Sequence, residues 1–208
     1  TSKPTALFSN TQIENPNLML EGMPNYRSGV DGLRVSNSNK GGITFAASTT
    51  QNGIHMITVV LGVDAVDGDP YARFVATSSL MNYVVRTFVS SIVVKEGDPY
   101  GKSKATVMDG KSETVLAVAK KDFYIVEKQG SQAEPKIQFK SDQESFRAPV
   151  KSGTNLGKLH YTDPDKIGRG YLEDQEPTVD MVAGRTIEKS FFLKVWWNEF
   201  VRYVNEKL

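Results

Sequence analysis

The apolar positions change their spacing several times along this 208-residue chain. Residues 1–29 carry little periodicity. Turn signals at Asn15-Pro16-Asn17 and Met23-Pro24-Asn25 bracket the short apolar patch Leu18-Met19-Leu20, so an extended approach or a long surface loop is expected. Ile43 to Ser48 and Ile54 to Val63 then read as two strands of a β-hairpin, with Asn52-Gly53 as its turn. The second strand is apolar at nearly every position from Met56 to Val63, which predicts burial on both faces. Asp69 as N-cap and Pro70 at the first helical position open a helix running to about Phe88. Its apolar members Tyr71, Phe74, Val75, Leu80, Met81, Val84, Val85 and Phe88 fall largely at helical spacings.

From residue 89 the pattern is strand-only. Ser91 to Lys95, Thr114 to Val118, Phe123 to Val126, Ile137 to Phe139, Ser145 to Val150, Gly157 to Tyr161 and Thr178 to Val182 are short strands separated by turns. This spacing predicts a small all-β sandwich or barrel of about 90 residues. Ile187 to Leu208 return to helical spacing, with Gly184 and Thr186 marking the start. Lys194, Asn198, Arg202 and Asn205 share a narrow polar face. Most of the remaining perimeter is apolar, and Phe191, Phe192, Trp196, Trp197, Phe200 and Tyr203 are its aromatic members. Such a helix docks on the β-domain or lies in a membrane interface. Its terminal position and aromatic density favour the interface.

The polar stretch that leads into the hairpin is the candidate site. Residues 30–42, Val-Asp-Gly-Leu-Arg-Val-Ser-Asn-Ser-Asn-Lys-Gly-Gly, are short, polar and glycine-bracketed beside strongly strand-like sequence. Binding and catalytic groups concentrate at such places. His55, at the start of the following strand, reads as an exposed or satisfied histidine before it reads as a catalytic one. The run Asp64-Ala-Val-Asp-Gly-Asp-Pro70 lacks the glutamate that a calcium loop needs, since position 75 is Val75.

Composition narrows the classes. Twenty-five basic residues against 24 acidic ones leave a net charge of +1, so no basic excess points to nucleic acid. The chain has no cysteine and two histidines, which excludes thiolate chemistry and a histidine-rich metal site, and no cofactor is implied. No apolar run reaches transmembrane length. The start, Thr1-Ser2-Lys3-Pro4-Thr5, has neither a signal-peptide pattern nor an initiating methionine, so removal of preceding residues is expected.

A longer-range order of motifs is also present. Phe8-Ser-Asn-Thr11, Leu18-Met-Leu20, Val30-Asp-Gly-Leu33 and Lys40-Gly-Gly42 precede the hairpin. Tyr71-Ala-Arg-Phe74 opens the helix. Phe146-Arg-Ala-Pro-Val150, Gly157-Lys-Leu159 and Val179-Asp-Met-Val182 lie in the all-β part, and Ile187-Glu-Lys-Ser-Phe-Phe-Leu-Lys-Val-Trp-Trp-Asn198 in the tail. In this order and content the chain resembles the second half of the low-molecular-weight penicillin-binding proteins, the serine D-Ala-D-Ala carboxypeptidases, with a tail like that of the streptococcal members.

The resemblance implies an α+β fold. Residues 1–90 would be the C-terminal part of a transpeptidase-like α/β unit, a hairpin plus helix. Residues 91–183 would be an all-β stalk, and 184–208 an amphipathic helix at the membrane interface. It implies hydrolysis of peptidoglycan stem peptides through a serine acyl-enzyme, at the extracellular face of the cytoplasmic membrane in a Gram-positive envelope. Family members use Ser-x-x-Lys, Ser-x-Asn and a Lys-Thr-Gly strand. Where the last would stand, this chain has Arg34-Val35-Ser36. Arg34 keeps the charge that attracts a carboxylate. Val35 loses a hydroxyl, and Ser36 adds a side chain where glycine permits close approach. The Asn37 N–H would match the strand's contribution to an oxyanion hole. Neither Ser-x-x-Lys nor Ser-x-Asn occurs in the sequence. The chain alone is therefore expected to be inactive. A catalytic half would lie upstream or on a separate chain, and the apolar Met56 to Val63 strand would pair with it or with a second copy. The alternative is a non-catalytic, membrane-anchored β-domain module.

Overall fold

The computed structural model describes residues 3–8, 11–38, 41–63, 69, 71–132, 134–168, 170–171, 173 and 175–207. Two compact units emerge: Thr1–Ser90 with Val126–Gly130, and Ser91–Ile125 with Ser131–Leu208. Among the described residues the chain is mostly β, with two helices.

In the first unit, the extended approach expected from the sequence is not unpaired chain: β1 (Thr5–Phe8) and β2 (Thr11–Glu14) form an antiparallel hairpin. The approach is not a surface loop either. Asn15 and Asn17 accept the backbone N–H groups of Asn17 and Met19 through their side-chain carbonyls, each at 3.0 Å. These consecutive Asx turns fold the chain inward, and Met19 and Leu20 become fully buried. Arg27 then holds the segment in place. Its guanidinium donates to the Asn82 side chain at 2.8 Å and to the Gln51 side chain at 2.9 Å.

β3 (Val30–Ser38), β4 (Gly42–Gln51) and β5 (Ile54–Val63) form an antiparallel sheet in that order. The β4–β5 turn uses Asn52 and Gly53, both with positive φ, as a two-residue turn matched to strand twist requires. Helix α1 (Ala72–Thr87) covers one face of the sheet. Asp69 contributes to its start as expected, accepting the Tyr71 N–H at 2.8 Å. Regular helix begins only at Ala72, and Pro70 lies outside the described residues, as do residues 64–68 of the aspartate loop. The core of this unit is Met19, Leu20, Val30, Phe45, Ala47, Ile54, Met56, Phe74 and Met81.

The expectation that β5 is buried on both faces is not met. Ile54, Met56 and Thr58 face the core, whereas Ile57, Val59 and Leu61 are 62%, 55% and 74% exposed. Successive side chains on a strand point to opposite faces, and α1 covers only one of them. An apolar run fixed the strand but could not reveal that its second face has no cover within these residues.

The second unit is built on a six-stranded sheet. It comprises β7 (Pro99–Met108), β8 (Thr114–Ala119), β10 (Lys136–Ser141), β11 (Phe146–Arg147), β12 (Asn155–Thr162) and β13 (Thr178–Ala183), in the order β10-β12-β13-β8-β7-β11. β6 (Phe88–Val94) pairs separately with β9 (Phe123–Lys128). β7 is a ten-residue strand that apolar patterning misses. It points Ser103, Ala105 and Val107 inward, and small residues give little apolar contrast against Lys102 and Lys104.

The motifs singled out in this unit are core and backbone features. Phe146, Ala148, Val150, Leu159, Val179 and Met181 are all buried. Gly157 has φ 146° at an irregularity in the β12–β13 register, and a Cβ there would lie 2.1 Å from the Lys140 carbonyl oxygen. Only glycine fits.

The tail differs from its expected span. Ile187 is 4% exposed and pairs with Val150 in a β-bridge, its N–H donating to the Val150 carbonyl at 2.8 Å. Thr186 does not open a helix; its hydroxyl accepts the Ser152 N–H at 3.0 Å. The helix, α2, is Phe192–Lys207.

Gly157→Ala is expected to cost about 3 kcal/mol or more, because it adds a steric clash to a backbone conformation that alanine avoids. A thermal melt followed by circular dichroism should show Tm falling by roughly 10 °C or more.

Candidate functional site

The site is built on β3, an edge strand of its sheet. Its register with β4 pairs Arg34 with Ala46, Val35 with Phe45, Ser36 with Thr44 and Asn37 with Ile43. Phe45 is buried against α1, where its ring meets Phe74 edge-on at 5.1 Å. Val35, opposite Phe45, therefore packs against the core. Strand alternation turns Arg34 and Ser36 to the other face, which α1 does not cover. Both are exposed, as is Asn37. The four residues singled out in sequence thus share one strand but not one face. Lys40, part of the motif order that led to them, lies outside the described residues.

The backbone here is held from beneath. Arg73, on the first turn of α1, is 5% exposed. Its guanidinium donates to the Ser36 carbonyl at 3.2 Å and the Thr44 carbonyl at 3.4 Å, and lies 5.8 Å from the Phe74 ring centroid. The Thr44 hydroxyl donates to the same Ser36 carbonyl at 3.2 Å. Burial lowers the Arg73 pKa, although the group remains protonated at any ordinary pH. Its positive charge faces carbonyl dipoles on the two strands. Nearer the start of β3, the Ser48 hydroxyl donates to the Asp31 carboxylate.

Sequence reasoning missed Arg73 because it looks for apolar residues on a buried helix face. The residues of α1 that are buried are Arg73, Phe74, Thr77 and Met81, with Arg73, Thr77 and Met81 at i, i+4 and i+8. A basic residue in register with a buried stripe was the available signal. Of the two histidines, His55 is exposed. His160 lies on β12, where partial burial and the neighbouring Lys140 and Lys158 hold its imidazole below the ordinary pKa.

The geometry offers one exposed guanidinium, a hydroxyl beside it and a strand edge with backbone groups to pair. These groups can bind an extended carboxylate-bearing ligand. A nucleophile with an adjacent base is not found among them.

The aromatic side chains of the tail lie on α2 and at Phe191 just before it, and are open. Phe191, Phe192, Trp196, Trp197, Phe200 and Tyr203 are each between 47% and 67% exposed. Trp196 stacks on Phe200 with ring centroids 5.9 Å apart, and Trp197 lies 6.0 Å from the same ring. Among the described residues, no helix is long and apolar enough to cross a membrane.

Comparison with known proteins bears out the family resemblance. Residues 88–189 match the family described as Penicillin-binding protein 5, C-terminal domain. The chain is 27% identical over 133 residues to the D-alanyl-D-alanine carboxypeptidase DacA of Haemophilus influenzae, covering 64% of this chain and 32% of that one. It is 22% identical over 137 residues to DacD of Escherichia coli, covering 66% and 34%. Among solved structures, the peptidoglycan synthesis regulatory factor PBP3 from Streptococcus pneumoniae superimposes with a TM-score of 0.85 at 45% identity, over 90% of this chain and 51% of that one. Penicillin binding protein 5 from Haemophilus influenzae shares the fold, with a TM-score of 0.59 at 22% identity. The chain thus spans about a third of those curated relatives and about half of those structures.

Replacing Arg73 by methionine should destabilise the first unit by about 1–3 kcal/mol, because two partly buried hydrogen bonds to carbonyls lose their charged donor. Urea unfolding of the Arg73→Met variant checks this. Greater stability than the parent would mean that desolvation of the guanidinium outweighs its two hydrogen bonds.

Proposed function

We propose that this chain, related to the penicillin-binding D-Ala-D-Ala carboxypeptidases, is the C-terminal part of such an enzyme. The parent would remove the terminal D-alanine of peptidoglycan stem peptides at the outer face of a Gram-positive cytoplasmic membrane. A serine outside these residues attacks the penultimate D-alanine carbonyl, and the peptide bond breaks. The terminal D-alanine leaves with the proton on its amine, and water then hydrolyses the acyl-enzyme. Residues 1–90 serve as the strand side of the catalytic unit, the β-domain that follows as a stalk and α2 (Phe192–Lys207) as a membrane foot.

The observation that carries this reading is the β3 edge. Arg34 and Ser36 stand exposed on the sheet face that α1 leaves open, on a strand with a free pairing edge. An extended peptide can add there as a further strand, with Arg34 meeting its terminal carboxylate and the Asn37 N–H contributing to an oxyanion hole. Val35 belongs to the core and has no part in the chemistry. Ser36 takes up space that glycine would leave free, which narrows the approach. The exposed Ile57, Val59 and Leu61 on the same face support a catalytic half, from upstream or from another chain, that covers them.

A second reading is favoured by a specific departure. Val35 and Ser36 replace the hydroxyl and the glycine of the family strand. A parent protein with a degenerate site would be a membrane-anchored β-domain module without activity.

Labelling with fluorescent penicillin tests the first reading. The full parent protein should label, this chain alone should not, and Arg34→Ala in the parent should slow acylation by roughly 10- to 100-fold, the cost of one charge-assisted contact. A parent that does not label supports the module, and an unchanged rate in the variant removes Arg34 from the site.

The membrane foot is supported by the open aromatic side chains on α2, since tryptophan, tyrosine and phenylalanine favour the headgroup level. Co-sedimentation with phospholipid vesicles should retain the whole chain and lose a chain ending at Ser190. That end point keeps Ile187 in the β-domain core. Equal binding by both forms would sink the membrane role.

A further inference from the structure

We propose that a cleft on the open face of the six-stranded sheet binds a short acidic peptide. This goes beyond the catalytic reading and does not rest on it, because the cleft lies wholly in the second unit. It has a volume of about 600 Å³, within the range of ligand sites. Its floor is apolar: Leu116 and Val118 of β8, with Pro99 of β7 beside them. Leu116 is 36% exposed.

Three features shape the cleft. β8 residues 115, 117 and 119 face the core, so Leu116 and Val118 must face outward. The β7–β8 register shifts between Pro99 and Lys104, which opens the sheet surface at that point. Gly184 continues the row beyond Leu116, donating its N–H to the Leu116 carbonyl at 3.0 Å. A Cβ at 184 would sit 3.0 Å from the nearer Val118 methyl, so a side chain there would invade the cleft.

Charge selects the occupant. Lys104, which pairs with Leu116, and Arg185 are the charged residues of the lining, and no carboxylate is among the lining residues. Neither cation is engaged in an ion pair among the described residues. An occupant must cover an apolar floor and offer anions to two cations. An extended peptide with small apolar and carboxylate side chains in alternation meets both demands. A polyol phosphate would meet only the second.

The test is a titration of the full 208-residue chain with acetyl-Ala-Glu-Ala-Glu, followed by NMR of the Leu116 and Val118 methyls and the Gly184 amide. Saturable shifts at these three positions are expected. Affinity should fall at least tenfold for acetyl-Ala-Gln-Ala-Gln, and at least tenfold for the variant carrying Lys104→Gln and Arg185→Gln. The variant carrying Lys121→Gln and Lys151→Gln, two exposed lysines that do not line the cleft, should bind as the parent does. Absence of saturable shifts up to millimolar peptide overturns the proposal. So does equal binding of the glutamine peptide, an equal loss in the distant-lysine variant, or tighter binding of a glycerol-phosphate oligomer at the same resonances.

Discussion

The first unit depends on the seating of α1 against one face of a three-stranded sheet. Phe45 on β4 meets Phe74 on α1 edge-to-face, within a cluster that also takes in Met19, Leu20, Met56 and Met81. Without that contact three short strands have no second layer, and a lone small sheet is marginal in water. The contact also decides the faces of β3. Val35 must follow Phe45 inward, so Arg34 and Ser36 must point outward. Arg73 then joins the same helix to the backbone of β3 and β4 through two carbonyls. A packing interaction therefore sets the direction of the only exposed cation on the candidate strand, and a buried cation holds that strand's backbone.

The second unit is stabilised on a different principle. A continuous apolar core runs from small residues such as Ala105 and Ala117 to Phe123, Phe146 and Tyr161, and irregularities are absorbed by glycine. Gly157 allows β12 to approach β10 closer than any side chain would permit, and Gly184 leaves the outer row open beside Leu116. The tail is tied in by strand-like contacts at Ile187 before α2 begins. The aromatic residues just beyond this tether stay exposed because they lie outside the β-domain core, which is already closed by Val150 and Ile187.

A strand edge carries a cation and a hydroxyl, and the sheet face that α1 leaves open exposes Ile57, Val59 and Leu61. A β-domain stands beside it in sequence, followed by an aromatic helix. The relatives are about twice as long as this chain. The sequence has no Ser-x-x-Lys motif.

The sequence by itself determined the location of most strands, the Asn52-Gly53 turn, the helix after Asp69 and the family resemblance. Each of these rests on local signals: alternation, turn chemistry and motif order. It also determined what was absent, because Ser-x-x-Lys and Ser-x-Asn are patterns that reading alone can exclude. Tertiary structure decided which face each residue shows. Met56 to Val63 read as doubly buried because apolar character alone does not count the layers above a sheet. β7 stayed hidden because serine, alanine and valine facing a core look little different from the residues between them. Arg73 escaped notice because its burial depends on carbonyls supplied by two strands some thirty residues earlier in the chain. That juxtaposition exists only once α1 has folded back onto the sheet, and it holds the backbone of residues 34–37 in place.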